Sequence, residues 1–270
     1  MKNISVKFVL LALLALCFCF LGCSSDKSSG PDDNVSNTDF VAKESFSFGV
    51  EVTDHTLLSL EGINGNVTIT GLSGADSVIV SGEKRVGSES MQDAQDHLRL
   101  LGFNLRIVPG EIYIETNQPD KTYGRSYVVD YNITLPQNFD VVVINANGAV
   151  DIDSINGSVS VENVNGQVDL DEINGSASVQ VVNGQISAEV SPPIGGIISM
   201  ATVNGNIDLD IPQYISAHFS ATVVNGTFTI SNLMLIGMVI TSNSITGTLG
   251  TGEGTIALST VNGNISVTGF

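Results

Sequence analysis

The sequence predicts an all-β protein: a β-solenoid-like stack of two-strand coils, each of roughly 18–21 residues, with a β-rich N-terminal cap containing one short helix. Three observations carry this. Asn-Gly recurs nine times, at Asn64, Asn147, Asn156, Asn165, Asn174, Asn183, Asn204, Asn225 and Asn262. The recurrences keep a spacing: every ninth position from Asn147 to Asn183, then every twenty-first as far as Asn225. Each is followed by alternating apolar and polar residues rich in Val and Ile, as in VNGQVDL and VNGNIDL, which is the period of a half-buried strand.

The N-terminus reads as an address. Lys2 and Lys7 precede an apolar run from Phe8 to Gly22, which has the length of a secretory h-region and is short for a bilayer span. The run ends Phe20-Leu21-Gly22-Cys23-Ser24, which resembles the lipobox of bacterial lipoproteins, where a small residue precedes a cysteine that becomes lipidated. The resemblance implies a signal peptide over residues 1–22, lipidation at Cys23 and, with Ser24 behind the cysteine, sorting to an outer membrane. Ordinary signal cleavage or an uncleaved anchor is the competing reading. Residues 23–39 follow as a flexible tether, because Val35 alone offers apolar surface against the entropy cost of ordering.

Residues 40–145 form a non-repetitive β-rich part. Phe46–Val52, Val78–Ser81, Asn104–Val108, Glu111–Glu115 and Tyr127–Leu135 alternate as strands do. Ser90–Leu101 sets Met91, Ala94, Leu98 and Leu101 on one helical face behind a serine cap. Ile63-Asn64-Gly65-Asn66-Val67 already shows the chemistry of the later units. This part is expected to cap the stack, since an open end would expose unpaired strand edges.

Residues 146–270 hold the Asn-Gly solenoid, and 40–270 reads as one continuous domain. Asn-Gly between alternating runs is also a strong hairpin signal, so an antiparallel meander or sandwich competes. Aligned on the asparagine, the third residue on is Val150, Val168, Ile186, Ile207, Phe228, Leu249 and Ile265. The fifth is Ile152, Leu170, Ala188, Leu209, Ile230, Thr251 and Val267. Four residues before the asparagine stand Val161, Val179, Met200, Ala221, Ser242 and Leu258, and six before it Val159, Ala177, Ile198, Phe219, Ile240 and Ile256. These columns cross both spacings, which gives coils starting at 147, 165, 183, 204, 225, 246 (Thr246-Gly247 replacing Asn-Gly) and 262. The odd step to Ile155 and Ile173 suits a solenoid corner, whereas a hairpin would need a bulge at every repeat. The asparagines Asn147, Asn165, Asn183, Asn204, Asn225 and Asn262 are then structural corner residues, stacked from coil to coil.

Charge narrows the function. With 10 Lys+Arg against 28 Asp+Glu the net charge is -18, and no Lys or Arg follows Arg125, so nucleic acid is excluded as a partner. All three cysteines, Cys17, Cys19 and Cys23, belong to the N-terminal segment, leaving the body without thiolate chemistry. His55, His97 and His218 are isolated, and no zinc-protease, P-loop or nucleophile-elbow motif is present. Asp151, Asp169 and Asp208 in one column, with Asp153, Asp171, Glu189 and Asp210 in the next but one, line one outward face. Carboxylate oxygens in such a file could collect Ca²⁺, the single candidate cofactor; the plainer reading is a solvated surface. In Leu233–Ile240 the inward members are expected to be Ile236, Met238 and Ile240, with Leu235 and Val239 outward, packed under another segment or forming a partner patch.

The Gly62-Ile63-Asn64-Gly65 step, the single helix, the Leu135-Pro136 step and the serial Val-Asn-Gly units behind a signal segment resemble the bacterial "putative adhesin" β-repeat domains over about residues 40–270. The resemblance implies an envelope-located parallel β-solenoid-like domain and carries no catalytic residues. The expected function is a lipid-anchored, non-catalytic cell-envelope protein for adhesion, surface binding or scaffolding. Its partners would be the membrane, through the lipid, and an envelope protein or glycan. The alternative is a Ca²⁺-dependent β-solenoid enzyme acting on acidic polysaccharide, which the lack of any Lys or Arg after Arg125 disfavours.

Overall fold

The computed structural model of the chain describes residues 38–52 and 54–270. The expected signal peptide, the lipidation site Cys23 and the tether as far as residue 37 lie outside the described residues. Strands numbered in chain order fall into two sheets. Sheet 1 runs β1 (Phe40–Glu51), β4 (Ser77–Ser88), β7 (Ser126–Pro136), β3 (Val67–Leu72), β9 (Val150–Asp153), β11 (Val168–Ile173), β13 (Ile186–Val190), β15 (Ile207–Ile211), β21 (Ile265–Gly269) and β17 (Phe228–Ser231). Sheet 2 runs β5 (Gly102–Val108), β6 (Glu111–Asn117), β2 (Leu57–Glu61), β8 (Asp140–Asn147), β10 (Val159–Asn165), β12 (Ala177–Asn183), β14 (Ile197–Asn204), β20 (Gly254–Asn262), β16 (Ala217–Asn225), β19 (Ser244–Leu249) and β18 (Ile236–Ile240).

Side by side, the two orders match rung for rung from β6 with β7 to β16 with β17, and neighbours along this stretch are parallel. Each rung is one coil, a strand in sheet 2 turning into a strand in sheet 1, through Asn-Gly in every rung but β6–β7, which is joined by the loop at residues 118–125. At about 4.8 Å per step the stack is roughly 34 Å long. Val150, Val168, Ile186, Ile207, Ile265 and Phe228 pair in register along sheet 1. Val141, Val159, Ala177, Ile198, Ile256 and Phe219 do the same along sheet 2. Alternation sends these files into the space between the sheets, where all but Phe228 are buried. The β-solenoid-like reading therefore holds, and the meander does not.

Chain order and spatial order part company at both ends. The coil β2–β3 lies inside the later coil β6–β7, and β20–β21 enters between β14–β15 and β16–β17. The expected chain-order stacking of units at 225, 246 and 262 does not form. Asn225 and Asn262 carry the same column pattern, so either coil could follow that of Asn204; the last one takes the inner slot, where both its strands gain two hydrogen-bonded neighbours. The connection between them folds outward as the hairpin β18–β19. Thr246-Gly247 is accordingly no corner, since both residues pair antiparallel with Ser220 and Phe219 of β16. Leu249 pairs with Ala217 in sheet 2, outside the sheet 1 file expected for it.

The same displacement overturns the reading of Leu233–Ile240. Ile236, Met238 and Ile240 are exposed, because sheet 1 has already ended at β17 and no strand faces β18. Leu235, expected outward, packs with Leu233 against the core, while Val239 is exposed. At the opposite end β1 and β4 extend sheet 1 and β5 extends sheet 2, all antiparallel. The helix α1 (Met91–Leu98) starts at Ser90, whose hydroxyl accepts from the Asp93 amide at 3.2 Å, and buries Ala94 and Leu98.

Candidate binding surfaces

The first corner is built from one residue type used repeatedly. The Nδ2 of Asn147 donates to Oδ1 of Asn64 at 2.8 Å, Asn165 to Asn147 at 2.8 Å, Asn183 to Asn165 at 2.9 Å and Asn204 to Asn183 at 2.7 Å. Asn262 then donates to Asn204 at 2.7 Å, and Asn225 to Asn262 at 2.9 Å, which repeats the exchanged order of the last coils. Between the ends of the file each amide both gives and receives, so the ladder occupies one donor and one acceptor of every interior asparagine. The glycine beside each asparagine has a steric cause. A Cβ on Gly166, at φ +139°, would stand 2.0 Å from the carbonyl oxygen of Gly148 one rung below.

A second set of polar residues, not singled out by sequence, backs this corner from inside. Asn145, Asn163, Thr202 and Thr260 are buried two positions before the corner asparagine. Their side chains donate to the glycine carbonyls: Asn163 to Gly148 at 3.0 Å, Thr202 to Gly184 at 3.0 Å and Thr260 to Gly205 at 2.9 Å. A polar residue recurring in an otherwise apolar column was the available signal. The other corner carries a shorter ladder, Asn174 to Asn156 at 3.0 Å and Asn156 to Asn138 at 3.2 Å.

The seven acidic candidates lie together on the outer face of sheet 1. Asp151 pairs in register with Asp169, Asp153 with Asp171, and Glu189 with Asp210; Asp208 stands beside Ser187. Thr68 and Thr70 flank the file on one side, Ser266 and Thr268 on the other. Partial burial, then the Asp169 charge, raises the pKa of Asp151. Burial followed by Asp171 and Asp210 raises that of Glu189. Asp208 is raised by burial and Asp210, although the Gln185 amide, 2.8 Å away, pulls it back. Gln167 likewise donates to Asp169 at 2.6 Å. The face is a strip rather than a cage: among the described residues no group of three or more His, Cys, Asp or Glu comes together to hold a metal ion.

The remaining candidates are dispersed. His97 sits over the Asp93 carbonyl at 2.9 Å, His218 points outward from β16, and the Nδ1 of His55 is buried without a partner. Among the described residues no histidine hydrogen-bonds a serine or threonine hydroxyl, and no helix is long and apolar enough to cross a membrane. The edge strand β18, with Met234 ahead of it, forms an exposed apolar strip at one end of the stack.

Residues 140–268 match the family model described as Toastrack DUF4097. No curated protein matches the chain. Among solved structures, a putative cell adhesion protein from Clostridium sporogenes is 16% identical with a TM-score of 0.48, the alignment covering 84% of this chain and 100% of that one. A putative adhesin from Bacteroides fragilis is 14% identical with a TM-score of 0.38, covering 84% and 98%. A putative lipid binding protein from Parabacteroides distasonis is 10% identical with a TM-score of 0.26, covering 83% and 96%. Similarity this distant says nothing of activity. The family match begins at the first residue of β8 and ends within β21, spanning the Asn-Gly rungs from Asn147 on together with the β18–β19 hairpin, so the likeness to Toastrack DUF4097 falls on the repeat body of the chain.

Proposed function

We propose that this chain is a lipid-anchored, non-catalytic protein of the cell envelope that binds surface partners, held to the membrane through Cys23. The observation that supports it is the placement of the two ends of the stack. The described chain enters at β1, the edge of sheet 1 at one end, while the exposed strand β18 is the edge of sheet 2 at the other. A lipid on Cys23 would hold the first end near the membrane and present the second roughly 50 Å further out, since two strands extend the rungs at each end. Ile236, Met238, Val239 and Ile240 are all exposed there, and an edge strand with open backbone groups is a template for strand addition by a partner. The absence of Lys and Arg beyond Arg125 weighs against an enzyme acting on acidic polysaccharide, which would need a cationic side chain near the reacting carboxylate.

The test uses the full chain in a bacterial host that has an outer membrane. The chain should partition with membranes, Cys23→Ala should release it, and cells carrying the native chain should adhere to envelope-coated surfaces more than the empty host does. Val239→Lys, which places a charge on the edge, should reduce adhesion without releasing the protein. Unchanged partitioning of Cys23→Ala would remove the anchor, and adhesion equal to the empty host would remove the binding role.

A further inference from the structure

The second corner changes character along the stack. Its asparagine ladder ends at Asn174, and beyond it the short turns give way to longer loops at residues 191–196 and 212–216, joined on the same side by the loop at 250–253 that leads from β19 into β20. Lengthened loops gathered on one face of a repeat array are a common place for a binding site. Here they enclose a cavity of about 320 Å³, within the range of small-ligand pockets.

The walls of this cavity are stiff and apolar, and its charge is of one sign. Pro192, Pro193 and Pro212 fix the backbone, and Tyr214 and Ile194 stand 86% and 89% exposed at the site although both line it. Glu253 supplies the charge. Thr251 Oγ1 lies 2.6 Å from each of its carboxylate oxygens, and the Ser216 hydroxyl donates to it as well. Ser216 is itself fixed, accepting from the amides of Thr251 and Gly252 at 2.8 Å each. These hydrogen bonds, that from Ser216 first, hold the Glu253 carboxyl below its ordinary pKa, so it is ionised at neutral pH. No Lys or Arg follows Arg125, and among the described residues no ion pair reaches Glu253. His218, the imidazole beside Gly252, makes no hydrogen bond to it. A positioned carboxylate without a counter-ion, set against proline and tyrosine surface, complements a cationic nitrogen carried on an apolar body.

We infer that the cavity formed by these three loops binds a small organic ammonium ion, its nitrogen on Glu253 and its apolar body against Tyr214 and the prolines. This goes beyond the envelope-binding reading and needs neither the lipid nor β18.

Calorimetric titration of the full chain in nonionic detergent, with phenethylammonium as the probe, tests it. Saturable binding is expected, with phenethyl alcohol, the neutral analogue, weaker by about tenfold or more. Glu253→Gln should weaken the ammonium about tenfold and leave the alcohol unchanged, while Tyr214→Ala should weaken both several-fold. Asp208→Asn, on the acidic face, is the control and should leave binding unaltered. No saturable heat at about 10 mM probe would overturn the assignment. So would equal affinity for the alcohol, or an Asp208→Asn effect as large as that of Glu253→Gln, which would mean diffuse attraction to an acidic protein. None of these results bears on membrane partitioning, so failure here leaves the envelope reading standing.

Discussion

Between Thr38 and Pro136 lie all the described lysines and arginines, and five carboxylates are held by them, Asp96 by Arg99 at 4.0 Å being the loosest. Glu83 meets Lys43 and Arg85, Glu44 meets Lys84, Asp130 meets Arg85, and Asp93 is gripped by Arg125 at 2.6 and 2.8 Å. The aromatic rings of Phe46, Phe48, Phe103 and Tyr131 pack there as one group. From Gln137 onward there is no Lys or Arg, and the contacts that matter are copies of one another. The contrast teaches how repetition works physically. In the N-terminal part each contact is an individual solution, so opposite charges can be matched one by one. In the repeat body a residue that faces outward in one coil faces outward in the next, so an Asp is stacked on an Asp as surely as a Val on a Val.

The sharpest way to break this comparison is at the corners. Gly166→Ala forces a Cβ to within 2.0 Å of a backbone oxygen in the neighbouring rung, which cannot move without displacing the coils beyond it. The expected loss is about 3–4 kcal/mol of unfolding free energy. Gly74→Ala in the N-terminal part also sits at positive φ, +74°, but its Cβ would meet nothing within 4 Å. It should cost only about 1 kcal/mol. Equal urea midpoints for the two would mean that stacking adds nothing to the glycine requirement. The next largest effect is expected from Ile207→Ala, since Ile207 is fully buried between Ile186 and Ile265. About 3 kcal/mol should be lost, whereas Ile240→Ala, 60% exposed on the edge strand, should stay within about 0.5 kcal/mol. Asn165→Ala follows. It removes one donated and one accepted amide bond from the ladder, worth about 1–2 kcal/mol in thermal unfolding.

What could be read in advance divides along the same line. The files of Val168, Ile186 and Ile207, the corner asparagines and the outward acids were all legible, because a coil of fixed period writes its facing into sequence spacing. The helix was legible from its serine cap and its apolar face, of which Ala94, Leu98 and Leu101 are buried, although Met91 is exposed and the helix ends at Leu98 rather than Leu101. The exchange of the last two coils was not. Hydrogen bonding between parallel rungs is made by the backbone, and Asn262 fits above Asn204 as well as Asn225 would. One clue was present: Asn225 and Asn262 stand 37 residues apart, twice the usual period, and the stretch between them has no Asn-Gly. The loop cavity with Glu253 could not be seen either, since its walls come from loops as distant in sequence as those of Ser191 and Glu253, which meet only because the coils are stacked.

The smallest expected effect separates the two regions by sign. A carboxylate whose folded pKa lies above its unfolded value disfavours folding at neutral pH, and the penalty is relieved as pH falls through the folded pKa. Asp151, Glu189 and Asp208 are of this kind, raised by burial and by their neighbours' charge. Asp93 and Glu83 are the reverse, lowered chiefly by hydrogen bonds from Arg125 and Lys43. Their contribution is present above the unfolded pKa of about 4 and is lost as pH falls toward the folded value. Asp169→Asn removes the like charge opposite Asp151, so it should stabilise by about 0.5 kcal/mol at pH 7. The gain should shrink toward zero near pH 4, and also in about 1 M salt. Asp93→Asn should destabilise at pH 7, with the difference closing only below about pH 4. Thermal melts of both variants across pH 3–8 read the two signs directly. If Asp169→Asn were destabilising at pH 7, the hydrogen bond from Gln167 would outweigh the repulsion, and the acidic file would be a matched structure like the ion pairs at the other end.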